Sequence, residues 1–320
     1  MKKNKLIIYS VVLFFILVSG AWAINSFSSE PPEDSASVFT ETKPDIPAPK
    51  QKESDPPEND MKKEEEDTDT NSENSITEND VQEAVAAMVK ENRALVIDPD
   101  VKMVAIGDSL TQGVGDSTGN GGYVGILEKT IGSSSISASS FTIANYGKRG
   151  NRTDQLVKRM EEPAMTSSIE EADVILVTIG ANDIMHIVRS NINNLTYEAF
   201  AKQTDSYENR LEDVFQTIRS KNEEAPIYLI GLFNPFHIYF ENIPELNQIV
   251  EDWNTIGQVT AAEDENASFI PIDDLFQQAD ESYYAEDNFH PNKRGYLQIA
   301  ERVFQYIKPE ISTSESDETE

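Results

Sequence analysis

Five short apolar runs, each followed by a stretch of helical periodicity, limit what this chain can fold into more than any other feature. The runs are Val101 to Ile106, Phe141 to Tyr146, Val174 to Ile179, Ile227 to Gly231 and Phe269 to Ile272. Short apolar runs of this kind read as strands buried on both faces of a sheet. Helices are predicted near Val124 to Lys129, Asp154 to Met160, Tyr197 to Lys221 and Leu246 to Ala262, with a last one from Lys293 to Ile307. Strands that alternate with helices imply a parallel sheet, right-handed crossovers and helices on both faces. The expected fold class is therefore α/β, a three-layer α/β/α domain with a central parallel sheet of about five strands.

That domain is expected to span residues 80–308, because the chain on either side has a different composition. Met1 to Lys5 is basic, and Leu6 to Ile24 is almost uninterruptedly apolar and near the roughly 20 residues that span a bilayer. Ala21-Trp22-Ala23 would also suit a signal peptidase, so an N-terminal membrane anchor and a signal cleaved after Ala23 both remain open for residues 1–24. Either way the basic end stays in the cytoplasm, and the body is expected to be extracytoplasmic, anchored to the cell membrane or secreted. Residues 25–79 are rich in Pro, Glu, Asp, Ser and Thr and poor in core-forming side chains, which predicts a disordered acidic linker. Within it, Asp67, Asp69, Asn71 and Glu78 have calcium-loop spacing, but Ser72 replaces the required glycine and no amphipathic helix precedes it. A helix is expected to begin the domain, with Val81, Val85, Met88 and Val89 on one face. Residues 309–320 read as a disordered acidic tail.

Composition narrows the function classes. With 57 acidic and 26 basic residues the formal net charge is −31, which argues against nucleic acid as a partner and disfavours highly anionic substrates. Much of this acidity lies outside the expected domain. There is no cysteine, so disulfides, thiolate metal sites and a thiol lipid anchor are excluded.

Chemistry is expected at the carboxyl ends of the strands, where open α/β sheets display reactive groups. Ala105-Ile106-Gly107-Asp108-Ser109-Leu110-Thr111-Gln112-Gly113 places Ser109 just past the first run, although Gly-Asp-Ser is also ordinary turn chemistry. A serine nucleophile needs a base and a group that orients the base. Of the three histidines, His290 lies in Asp287-Asn288-Phe289-His290-Pro291, where a tight turn would set the carboxylate against the imidazole. Donors for an oxyanion are available after the second run, in Gly147-Lys148-Arg149-Gly150-Asn151, and after the third, in Gly180-Ala181-Asn182-Asp183. Competing motifs fail on spacing. No Lys-Ser/Thr follows for a phosphate loop, the third glycine of a dinucleotide fingerprint is missing, and Thr111 breaks a Gly-x-Ser-x-Gly elbow. No cluster has convincing metal spacing, so no metal and no cofactor are expected.

With these residues in view, the region from Val101 to Lys308 resembles the SGNH hydrolases, the GDSL esterases and lipases. All four short blocks of that family occur in its order. The resemblance implies a flavodoxin-like α/β/α fold, Ser109 as nucleophile, Gly150 and Asn182 as oxyanion donors beside the Ser109 N–H, and Asp287 with His290 as acid and base. Gly147 is the alternative to Gly150 because spacing in that block varies. Asn288 departs from the pattern, standing where glycine is common. The chain is similar to bacterial thioesterase and lysophospholipase-like members.

The resemblance implies two-step ester hydrolysis through an acyl-enzyme by an extracytoplasmic esterase or lipase, lysophospholipase-like, with an ester, lipid or acylated glycan, as substrate and no protein partner. The apolar stretch Leu232 to Phe240 could line an acyl site, with Phe233, Phe236, Met185 and Ile187 as candidates, or simply complete the core. An O-acetyl esterase acting on cell-wall or other polysaccharide is the alternative. A surface-tethered binding module that kept a hydrolase frame is the non-enzymatic one.

Overall fold

A computed structural model describes residues 100–134, 141–191, 193–236, 244–277 and 279–312, together with residues 83, 86 and 87. The N-terminal segment, the linker with its calcium-loop spacing, Val81, Val85, Met88, Val89, His237 and Ile238 to Phe240 lie outside the described residues, as does the tail beyond Ser312. Glu83, Ala86 and Ala87 are helical.

Five strands form one all-parallel sheet: β1 (Met103–Gly107), β2 (Ile143–Gly147), β3 (Val174–Thr178), β4 (Ile227–Ile230) and β5 (Ala267–Ile270), in the order β2-β1-β3-β4-β5. The three inner strands β1, β3 and β4 are buried at every position, whereas the edge strands β2 and β5 are only partly covered. This is the burial expected when helices cover both faces. Alternation along the strands divides the side chains. Met103, Ala105, Val174, Leu176, Tyr228 and Ile230 enter one core layer with α2 (Gly122–Ser134) and α10 (Lys293–Ile311). Val104, Ile106, Ile175, Val177, Ile227 and Leu229 are turned to the opposite face. The helices α3 (Thr153–Arg159), α4 (Pro163–Glu170) and α8 (Pro244–Ala262) pack against α7 (Thr204–Lys221). Tyr207, Leu211, Val214, Phe215 and Ile218 form the buried stripe of α7, and Tyr207 stacks on Trp253 at 5.2 Å.

The element types match the sequence expectation, and the differences have local causes. The predicted helix from Tyr197 to Lys221 is two, α6 (Tyr197–Ala201) and α7, because the Gln203 N–H turns back to the Phe200 carbonyl at 2.7 Å. The last helix does not stop at Ile307 but runs through Pro309 to Ile311. Ile307 and Ile311 lie four residues apart on its buried face, so apolar packing outweighs the lost proline hydrogen bond. Four helices were not expected from the sequence: α1 (Ser109–Gln112), α4 with proline at its start, α5 (Ala181–Ser190), although its Met185, Ile187 and Val188 have helical spacing, and α9 (Asp273–Gln277). Among the described residues no helix is long and apolar enough to cross a membrane.

The chain goes from β1 to β2 on one side and then returns to place β3 on the other side of β1. The strand order therefore reverses at the carboxyl end of β1, the position where doubly wound sheets open a crevice. Gly107 closes β1 with φ +145°, and a Cβ there would sit 2.1 Å from the Thr178 carbonyl oxygen. Gly107→Ala is expected to cost about 3 kcal/mol or more of stability, because strain and overlap act together. A urea midpoint equal to that of the wild type would show that the β1–β3 approach relaxes freely.

Candidate active site

The turn after Gly107 is set by a hydrogen bond from the Asp108 N–H to the Thr178 carbonyl at 3.1 Å. Asp108 then caps α1, accepting the Leu110 N–H at 3.0 Å, and Gly113, at φ +81°, ends the helix after a single turn. Ser109 is thereby held at the first helical position, buried to 8 % exposure at the switch point of the sheet.

His290 arrives from the far end of the chain on a closed turn. Tyr284 and Pro291 form an antiparallel bridge, and the Ala285 N–H bonds to the His290 carbonyl at 2.8 Å. Inside the turn one carboxylate has two tasks. Asp287 Oδ1 accepts the Phe289 and His290 N–H groups at 3.1 and 2.9 Å, and Oδ2 lies 2.6 Å from His290 Nδ1. Asn288 adopts φ +51°, a conformation that asparagine tolerates where glycine is the usual choice. The other imidazole nitrogen, Nε2, lies 3.0 Å from Ser109 Oγ. Burial works against the charge on Asp287, but the His290 imidazole and the two N–H groups outweigh it and hold the carboxyl below its ordinary pKa. An anionic Asp287 fixes the tautomer that leaves Nε2 free to take the serine proton. Gly115 lets its loop approach this turn, since a Cβ there would lie 2.5 Å from the Pro291 carbonyl oxygen and 3.0 Å from His290 Cβ.

The structure separates the two candidate glycines. The Gly147 N–H donates to Asn145 Oδ1 at 2.9 Å, and its α-carbon is pressed against the backbone of Gln112, where a Cβ would lie 2.1 Å from the nitrogen. Gly147 is thus a packing glycine whose N–H already has an acceptor. Gly150, exposed at φ +80°, has open space around its α-carbon.

Asn182 is the second residue of α5, and its Nδ2 lies 3.4 Å from Asp108 Oδ2. One amide hydrogen faces Asp108, and the second remains for another acceptor. Asp183, its neighbour, accepts the Thr153 N–H at 3.1 Å, the Thr153 hydroxyl at 2.7 Å and Arg210 Nη2 at 3.2 Å, and so ties the Gly150 loop to α5. Burial raises the Asp183 pKa, with Thr153 and Arg210 opposing the rise.

The proposed acyl residues are only partly brought together. Phe233 lines a cleft of about 60 Å³ beside Ser109 and His290, walled also by Leu110, Ile179, Leu232 and Phe289. Phe236 lies behind that wall, packed on Phe289 at 5.7 Å, and Met185 and Ile187 are buried on α5 away from the cleft. Met185 and Ile187, proposed only as acyl-site candidates, lie two residues apart on a helix that turns both into the protein. His186 is exposed and distant from the pair. Among the described residues no group of His, Asp and Glu side chains is arranged to hold a metal ion.

Sequence reading missed Asp108, although it adjoins the serine. Its Oδ1 also accepts the Thr178 hydroxyl at 3.1 Å, and Thr178 Oγ1 lies 2.7 Å from Thr111 Oγ1, itself 3.1 Å from the Tyr123 hydroxyl. Desolvation pushes the Asp108 pKa up to about 6 against those hydrogen bonds and the charge of His290; Asp183 adds to the rise. Since the folded pKa exceeds the ordinary 3.8, stabilisation from this group is full below the unfolded pKa and is lost as pH rises through about 6. Asp108→Asn stays neutral throughout. Its stability relative to the wild type should therefore improve by about 2 kcal/mol between about pH 4 and about pH 7, measured by urea unfolding. A difference that does not change with pH would show that Asp108 ionises in the fold as it does in the unfolded chain.

Comparison with known proteins agrees with the geometry. Residues 105–297 match the model of the GDSL-like Lipase/Acylhydrolase family. The chain is 39% identical over 212 residues to the uncharacterised protein YpmR of Bacillus subtilis, covering 66% of this chain and 82% of that protein. It is 24% identical over 210 residues to the spore germination lipase LipC of Bacillus licheniformis, covering 63% and 94%. Among solved structures, the lipase Lip_vut3 from a goat rumen metagenome has a TM-score of 0.56 at 21% identity, covering 64% of this chain and 96% of that one. A catalytic mutant of the acetylxylan esterase Axe2 of Geobacillus stearothermophilus has a TM-score of 0.51 at 21% identity, covering 66% and 95%. These two likenesses speak for the fold. The family match covers more than half of the chain, which therefore belongs to the GDSL-like lipase/acylhydrolase family of carboxylic ester hydrolases.

Proposed function

We propose that the chain hydrolyses esters with Ser109 as nucleophile, His290 as general base and then acid, and Asp287 as the group that orients and stabilises the imidazolium. The continuous contact Asp287–His290–Ser109, at 2.6 and 3.0 Å, carries this reading. Attack by Ser109 Oγ on the ester carbonyl passes the hydroxyl proton to Nε2, which then protonates the departing alcohol oxygen. Water attacks the acyl-enzyme by the same route and releases the carboxylic acid. The Ser109 and Gly150 N–H groups and the Asn182 amide hold the oxyanion.

The cleft supports an apolar acyl group on the β3 and β4 side of Ser109. Its volume, about 60 Å³, and its apolar walls leave room for the start of a single acyl chain. This favours a lipase or esterase, lysophospholipase-like in taking one acyl chain. An acetyl-only enzyme would not need the Phe233 wall. The basic start and apolar stretch of residues 1–24 support an extracytoplasmic site of action, with the acidic linker as a spacer.

Ser109→Ala should abolish both ester hydrolysis and labelling by a fluorophosphonate; retained labelling would assign the nucleophile to another serine. Asn182→Ala is expected to lose about 10²–10³-fold in turnover, the usual consequence of removing one oxyanion donor. Across p-nitrophenyl esters, activity should rise from acetate to longer acyl chains. Strict preference for acetate would overturn the acyl cleft and favour an O-acetyl esterase acting on a polysaccharide.

A further inference from the structure

The oxyanion donors proposed above come from two segments, and a side chain that bonds to neither of them ties the two together. Gly150 lies just ahead of Thr153, the first residue of α3, and Asn182 is followed by Asp183 on α5. Thr153 and Asp183 are both buried. The Thr153 N–H donates to Asp183 Oδ2 at 3.1 Å and the Thr153 hydroxyl to Oδ1 at 2.7 Å, so the two segments share one carboxylate. A hydroxyl has a single proton and rotates to suit its neighbours. Arg210 of α7 removes that freedom. Its Nε donates to Thr153 Oγ1 at 2.9 Å and its Nη2 to Asp183 Oδ1 at 3.2 Å. Because a guanidinium has only donors, Thr153 must accept from Arg210 and give its own proton to Asp183.

The guanidinium is itself fixed. Its Nη1 donates to the Ser206 hydroxyl, one turn earlier on α7, at 2.6 Å. The same helix meets α5 at a second point, since a Cβ on Gly180 would lie 2.5 Å from the Tyr207 hydroxyl oxygen. Tyr207 and Arg210 are three residues apart and so share a face of α7. They reach α5 at Gly180 and at Asp183, on either side of Asn182 in the sequence. Apolar packing of α7 is already supplied by Tyr207, Leu211, Val214, Phe215 and Ile218, and Arg210 stands outside that stripe, partly exposed. Burial raises the Asp183 pKa despite Arg210, so the pair is kept at a cost in desolvation and is a weak source of stability. What the fork supplies is geometry.

We propose that Arg210 is a positioning residue for ester hydrolysis: through Thr153 and Asp183 it fixes the separation of the Gly150 N–H and the Asn182 amide, and with it how well the oxyanion is held. The proposal rests on the esterase reading and adds to it a residue that touches no reacting atom. Donors aimed at an oxyanion act on charge that develops only in the transition state. Their misplacement therefore appears in kcat and leaves KM nearly unchanged. Lysine at this position would keep the charge without the fork, and so would reach Thr153 or Asp183 but not bridge both.

The test uses the full chain in neutral detergent with p-nitrophenyl butyrate as substrate and butaneboronic acid as inhibitor, whose boron accepts the serine oxygen and becomes tetrahedral. Arg210→Met keeps much of the stem and should lower kcat about tenfold to a hundredfold, with KM within about twofold of the wild type. Arg210→Lys should lie between the two, about threefold to tenfold down in kcat. Boronate affinity should fall in step with kcat in both variants. In an Asn182→Ala background Arg210→Met should cost less than it does alone, because one of the two donors it places is gone. Each protein is first shown to be folded at the assay temperature by circular dichroism; where the methionine variant is not, the lysine variant, which keeps a cation beside Asp183, decides. Wild-type kcat in either folded variant, a loss confined to KM, boronate affinity that does not follow kcat, or full additivity with Asn182→Ala would overturn the proposal and leave the esterase standing. A folded wild type that neither hydrolyses the ester nor binds the boronate would overturn the esterase reading and this proposal with it.

Discussion

The buried carboxylate of Asp108 is the interaction on which the site depends. It lies between β1 and β3, where the strand order reverses, and three donors from three places converge on it: the Leu110 N–H, the Thr178 hydroxyl and the Asn182 amide. Behind Thr178 the hydroxyls of Thr111 and Tyr123 extend the chain of hydrogen bonds into the core. Because the carboxylate has only acceptors, Thr178 donates to Asp108, and the Thr111 hydroxyl lies between Thr178, Tyr123 and the Ile106 carbonyl. A single group thus sets the start of the Ser109 helix, the spacing of two strands and the aim of an amide.

Two other aspartates do the same work nearby. Asp183 holds the segment after Gly150 through Thr153 and Arg210, and Asp287 folds its own turn while orienting His290. Each sits within a few residues of the side chain or loop it places. The functional groups come from four separate loops, yet none is positioned by apolar packing alone. Short polar side chains suit this task because they bond to nearby backbone as well as to a distant element.

This explains what could and could not be read in the sequence. The parallel sheet was legible because β1, β3 and β4 are buried on both faces and so appear as plain apolar runs. Ser109, Asp287 and His290 could be singled out because serine, aspartate and histidine at strand ends have few chemical alternatives. Asp108 was hidden by its own neighbour, since Gly-Asp-Ser reads first as a turn, and nothing local shows that Thr178 will approach it from β3. The helix carrying Asn182 begins at a glycine with φ +121° and has no side-chain cap, so its start has no capping signature in the sequence. The distinction between Gly147 and Gly150 is a matter of which N–H is already bonded, which spacing does not encode.

Magnitudes show why a protein would keep a group as unfavourable as Asp108. A shift from 3.8 to about 6 corresponds to roughly 3 kcal/mol at neutral pH. An oxyanion donor is worth roughly 2.7–4 kcal/mol in the transition state. The two quantities are of the same order, and Asp108 is bonded to Asn182, a donor in the proposed mechanism, while capping the helix whose first N–H is proposed as another. A neutral residue in its place would have no charge to desolvate but would lose the carboxylate oxygen that faces the Asn182 amide. Under the proposed mechanism, preorganisation of the donors offsets the cost of a buried carboxylate at this point in the sheet.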